Sequence, residues 1–98
     1  VAPGAVVDSS ETRRVPRLRI GFRFQWEPAQ NAYVLLYPEG MVRLNDSAGA
    51  VLNEVDGKHS VAEIIASLEH KFPEAGSLAA DVLDFLADAQ KQSWIEIR

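Results

Sequence analysis

The chain has 98 residues, 47% of them hydrophobic and 24% charged, which fits one small domain with a single core. It contains no cysteine, so a disulfide framework, a thiolate metal site and a cysteine nucleophile are all excluded. The net charge is −4, and it is uneven: residues 1–50 carry six arginines against five acids, and residues 51–98 carry four basic residues against nine acids. An acidic C-terminal half is a poor footprint for nucleic acid, because phosphate binding needs clustered Lys and Arg.

Residues 1–15 read as a flexible arm, with Pro3, Gly4, Ser9 and Ser10 and no sustained periodicity. The arm lacks the basic start and apolar core of a secretory signal, and no run approaches the roughly 18 apolar residues of a membrane span. A cytoplasmic protein without membrane contact is expected. From Leu18 the pattern alternates: Leu18, Ile20, Phe22, Phe24 and Trp26 point one way, and Arg17, Arg19, Arg23 and Gln25 the other. That period of two predicts a half-buried strand with its aromatics, and Tyr33, in the core. Glu27 to Asn31 supply a turn. A second strand follows at Tyr33–Tyr37, a tight turn at Pro38-Glu39-Gly40, and a third strand at Met41–Leu44.

The remainder reads as helical. Asn45 is a good N-cap for a helix to about Val55, with Ala48, Val51, Leu52 and Val55 inward and Asp56-Gly57 ending it. Ser60-Val61-Ala62-Glu63 is a capping box that opens a second helix, stopped by Pro73. Ser77 is placed to cap a third helix to about Gln92, with Leu78, Val82, Phe85, Leu86 and Ala89 inward. Trp94–Arg98 is a short strand or extended tail. The expected architecture is α+β: a three-stranded antiparallel sheet followed by three helices, in a winged helix-turn-helix-like arrangement.

Several segments together resemble the PqqD family of pyrroloquinoline quinone biosynthesis. Pro16-Arg17-Leu18 followed by Gly21-Phe22-Arg23-Phe24 is similar to its opening. Val34-Leu35-Leu36-Tyr37-Pro38-Glu39 resembles its second strand and Pro-Glu turn, and Leu44-Asn45 and Asp56-Gly57 its first helix boundaries. Val61-Ala62-Glu63-Ile64-Ile65, Asp81-Val82 and Phe85-Leu86 continue the match in order, over about residues 16–98. Val55 departs from it, standing where many members have Cys. The resemblance implies a RiPP recognition element that binds the precursor peptide PqqA and delivers it to the radical-SAM enzyme PqqE. It implies that the peptide adds as a strand along the third strand, beside the third helix. The chemistry would then belong to PqqE, and this chain would be no enzyme and hold no cofactor.

On that implication Met41, Val42, Arg43 and Leu44 are the candidate edge residues. The plainer alternative is an edge covered by the C-terminal strand. On the third helix Asp81, Asp84 and Asp88 share one acidic stripe, with Leu83 and Ala87 expected beside it as a small apolar strip outside the main core face. They suit a peptide with basic and apolar groups, or simply form a solvated face. The same acids argue against the runner-up, a winged helix-turn-helix regulator reading DNA. The open edge and the arm also suit a homodimer. His59 and His70 lie eleven apart, without the convergent spacing of a metal site. No serine has a triad context, and no glycine-rich phosphate loop exists. A quinone pocket lined by the aromatics is compatible with the sequence, but no spacing demands one. The arginines at 13, 14, 17, 19 and 23 form the one basic cluster, suited to an acidic partner or to solvent.

Overall fold

The computed structural model describes residues 12–98. Of the segment 1–15 expected to be an arm, residues 1–11 lie outside the described residues. Arg14 and Val15 are hydrogen-bonded into the fold: the Arg14 carbonyl accepts from Val61 N at 2.9 Å, and Val15 exchanges two main-chain bonds with Arg98.

Three strands form the expected antiparallel meander: β2 (Arg23–Glu27), β3 (Ala32–Tyr37) and β4 (Gly40–Arg43), in the order β2-β3-β4. Ahead of them β1 (Pro16–Leu18) pairs instead with the C-terminal strand β5 (Ile95–Ile97), as a separate two-stranded ribbon. The single strand expected from Leu18 to Trp26 is therefore two strands in two sheets. Gly21 takes a φ of +99°, and Phe22 N–H donates to the Arg19 carbonyl at 3.2 Å, closing a turn. Ile20 sits in that turn fully exposed, not in the core. Alternation predicted its side, and the turn cancels it.

The helices are α1 (Asp46–Leu52), α2 (Val61–Lys71) and α3 (Ala79–Lys91), with a 3-10 turn at Pro73–Ala75. Asn45 caps α1 as expected, its Oδ1 accepting from Ala48 N at 2.8 Å. The helix ends at Leu52, short of Val55, which is nonetheless buried. Gly57 adopts a φ of +77°, and Asp56 Oδ1 accepts from the amides of Lys58 and His59, holding the loop. The Ser60–Glu63 capping box is fully formed. The cap of α3 differs from expectation. Ser77 makes no cap; Glu69, reaching from α2, accepts from Leu78 N at 2.8 Å. The carboxylate thus satisfies the Leu78 amide at the start of α3, and no side chain caps the helix itself.

One core joins all layers. Leu35 and Leu44 from the sheet meet Val51 and Leu52 of α1, Ile64 and Leu68 of α2, Val82 and Leu86 of α3, and Ile95 of β5. Against it Phe24 stacks on Tyr33 at 4.7 Å. Trp26 meets the Tyr33 edge at 5.2 Å but stays 48% exposed, so it is not the core residue its register suggested. Gly49 is the residue that lets α1 close on this stack. A Cβ there would lie 2.9 Å from Tyr33 Cδ2, so the close approach of helix and ring needs a bare backbone.

Candidate functional site: a free strand edge and an acidic groove

Among the described residues β4 pairs only with β3, in the register Val34↔Arg43, Leu35↔Val42, Leu36↔Met41 and Tyr37↔Gly40. The C-terminal strand, which could have covered this edge, is engaged with β1. The orientation of the main chain follows from one bond. Leu44 N donates to the Tyr33 carbonyl at 3.0 Å. Antiparallel ladders alternate bonded and non-bonded pairs, so Val42 and Leu44 turn their amides toward β3. Met41 and Arg43 therefore direct their N–H and C=O groups outward, ready for a further strand. The side chains follow a different division. Leu44 is buried and Val42 packs against the core, whereas Met41 is 43% exposed and Arg43 is exposed.

Two residues beyond β4 the chain enters α1, and there it becomes the wall of a groove of about 820 Å³. Val51 of α1, Leu68 and Phe72 at the end of α2, and Leu78, Val82 and Phe85 of α3 supply its apolar lining. Asp46, Glu74, Asp81 and Asp84 line it too. Volume and apolar lining are those of a ligand cleft, and among the described residues the charges on its wall are all negative. Phe72 is 45% exposed at the groove, an apolar surface left accessible to whatever occupies it.

The structure divides the nine candidate residues into three groups. Met41, Val42, Arg43 and Leu44 lie on the free strand or at its end. Asp81 and Asp84 line the groove, and Asp88 is exposed one turn further along the same stripe. Leu83 and Ala87 lie on the other flank of α3, where they line a small pocket of about 70 Å³ with Arg14 and Ile97. They do not join the acidic stripe on the groove side. The reason is angular: at about 100° per residue, Leu83 stands some 200° from Asp81. The groove's α1 wall, Asp46, Ser47 and Ala50, was not picked out from sequence, nor were Phe72 and Glu74. Phe72 carried a weak signal, as a large apolar residue at a helix end just before Pro73. Leu78 and Phe85, inward by their helical spacing, are each half-buried because each serves core and groove together.

The strongest electrostatic perturbation lies elsewhere. Amide bonds from His59 and then Lys58 hold the Asp56 carboxyl at about 2, and His59 Nδ1 lies 2.6 Å from its other oxygen. This is a loop-holding device. Among the described residues no group of three or more His, Cys, Asp or Glu could hold a metal, and no helix is long and apolar enough to cross a membrane.

Comparison with known proteins places this geometry in a family. The family model described as coenzyme PQQ synthesis protein D matches residues 32–95. A PqqA binding protein of Azotobacter vinelandii is 61% identical over 83 residues, covering 85% of this chain and 90% of the relative. A PqqA binding protein of Kluyvera intermedia is 51% identical over 84 residues, covering 86% and 91%. The solution NMR structure of the PqqD truncation of Methylobacterium extorquens PqqCD, described as a functional, stand-alone RiPP recognition element, superposes with a TM-score of 0.66. It is 36% identical, covering 84% of this chain and 88% of that one. The family match runs from β3 to the first residue of β5, over the strands and helices that build the free edge and the groove, and on it the chain belongs to the PqqD family.

Proposed function

We propose that this chain is a peptide chaperone: it binds the precursor peptide PqqA as an added strand on β4 and presents it to the radical-SAM enzyme PqqE. The observation that carries this reading is the outward-facing main chain of Met41 and Arg43, with a groove of acidic and apolar lining beginning at Asp46, three residues further on. Main-chain bonds along such an edge give affinity, and side-chain pockets beside it give specificity. An exposed edge is an aggregation hazard, so its retention fits a strand that is filled in use. The names of the relatives, PqqA binding protein, support the same ligand. Asp81 and Asp84 would meet basic groups of the peptide, and Asp88 would extend that field along α3. The role is one of holding, with the reaction left to the partner, and the relatives' name, a binding protein, supports it.

The test is an NMR titration of the labelled chain with full-length PqqA peptide. Saturable shifts at Met41–Leu44 and along Asp81–Asp88 are expected, with PqqE then broadening the same complex. Saturable shifts confined to other surfaces, or none with PqqE present, would sink the reading.

A further inference from the structure

Six of the ten basic residues fall within residues 12–19 and 91–98, where Glu96 is the single acid; the rest of the chain holds four basic residues against thirteen acids. The pairing of β1 with β5 joins these two segments into one ribbon. Pro16 and Ile95 are buried and anchor one face of it to the core. Alternation then turns Arg17 and its cross-strand partner Glu96 outward.

Arg17 Nε donates to Glu96 Oε2 at 2.9 Å, and Arg98 Nη2 approaches the same oxygen at 3.7 Å. The bond from Arg17, then the charges of Arg17, Arg98 and Arg19, hold the Glu96 carboxyl below its ordinary value. Arg14 Nη2 donates to the Ile97 carbonyl at 2.7 Å, which fixes a fourth guanidinium at the ribbon. One carboxylate thus sits among several guanidinium groups and leaves a net positive surface.

We propose that this arginine ribbon is a docking surface for a carboxylate-rich patch on a partner protein. Charge complementarity selects the partner, because Arg14, Arg17, Arg19 and Arg98 gather at the ribbon of an otherwise acidic molecule. They are arginines, whose planar forks match carboxylates two bonds at a time. Glu96 already draws one such bond, from Arg17 Nε, within the chain. The size of the ribbon points to a compact patch. Three residue pairs span roughly 10 Å, so an extended polyanion such as nucleic acid would run off the ribbon onto acidic surface. None of the ribbon residues lines the groove or lies on β4, so docking here leaves both open. The inference stands apart from the peptide-binding reading and does not depend on it.

The experiment is a titration of the labelled full chain with acetylated hexaglutamate, beside a thymidylate hexamer, at low and physiological salt. Saturable hexaglutamate shifts at residues 14–19 and 94–98 are expected, weakening as salt rises. Arg19→Glu with Arg98→Glu, which spares the Arg17–Glu96 pair, should weaken binding at least tenfold. The milder Arg19→Gln with Arg98→Gln should give a smaller loss with a native spectrum. Shifts spread evenly over Arg23, Arg43, Lys58 and Lys71 would overturn the proposal. So would an absence of shifts, or tighter binding of the thymidylate at the ribbon.

Discussion

Placing proline at two neighbouring positions of β4 separates the strand's role in folding from its role in binding. Val42 turns its amide to β3, by the alternation that the Leu44-to-Tyr33 bond establishes. Val42→Pro removes that donor and leaves the carbonyl of the fully buried Leu35 without its partner. An unsatisfied buried acceptor costs about 1–3 kcal/mol, and for a domain of this size each kcal/mol lowers Tm by about 4–8 °C. A fall of roughly 5–20 °C is expected. Met41→Pro removes a donor that faces solvent, so its Tm should stay within a few degrees of the Met41→Ala control. Peptide affinity should divide the other way. Met41→Pro deletes one main-chain bond to the incoming strand, a net loss of about 0.5–1.5 kcal/mol, or roughly 2- to 13-fold in Kd. Thermal unfolding by circular dichroism and titration calorimetry with PqqA measure the two effects. Equal destabilisation by both prolines would refute the deduced register. A folded Met41→Pro protein with undiminished affinity would refute strand addition on β4.

Asp84→Lys with Asp88→Lys, both exposed, should weaken PqqA binding while leaving the circular dichroism spectrum and Tm native; calorimetry at two salt concentrations would report the loss. Because Glu69 holds the Leu78 amide at the start of α3, Glu69→Ala should cost about 1 kcal/mol and Ser77→Ala almost nothing, read from denaturant midpoints. Gly49→Ala should destabilise by about 1–3 kcal/mol through overpacking on Tyr33, although alanine is the better helix former by about 1 kcal/mol. Asp56 is depressed to about 2 from an ordinary value of 3.8, so its contribution to stability is complete above the ordinary value and fades as pH falls toward 2. Urea midpoints between pH 5 and pH 2 should show that part of the acid sensitivity vanishing in Asp56→Asn.

Much of the fold was legible in the chain because its signals are local. The Asn45 cap, the Ser60–Glu63 box and the Pro38-Glu39-Gly40 turn each involve atoms within about three residues, and each formed as expected. The apolar spacing in α3 named Leu78, Val82, Phe85, Leu86 and Ala89 as inward; Val82, Leu86 and Ala89 are buried, and Leu78 and Phe85 are half-buried. The acidic stripe was visible for the same reason, since helical spacing alone aligns Asp81, Asp84 and Asp88.

Tertiary structure decided what depends on contacts between distant segments. Alternation from Leu18 to Trp26 carried no sign that Arg19–Phe22 would turn, because the pairing of Pro16–Leu18 with Ile95–Ile97 is a contact across nearly the whole chain. That pairing set both charged features: it joined two arginine-bearing segments into one ribbon, and it kept the C-terminal strand off the β4 edge. The Glu69–Leu78 bond, the Gly49–Tyr33 approach and the groove shared by α1, α2 and α3 have the same origin. Periodicity tells a residue which side of its own element it occupies. Only packing tells it which other element lies there, and both the free edge and the groove are properties of that second fact.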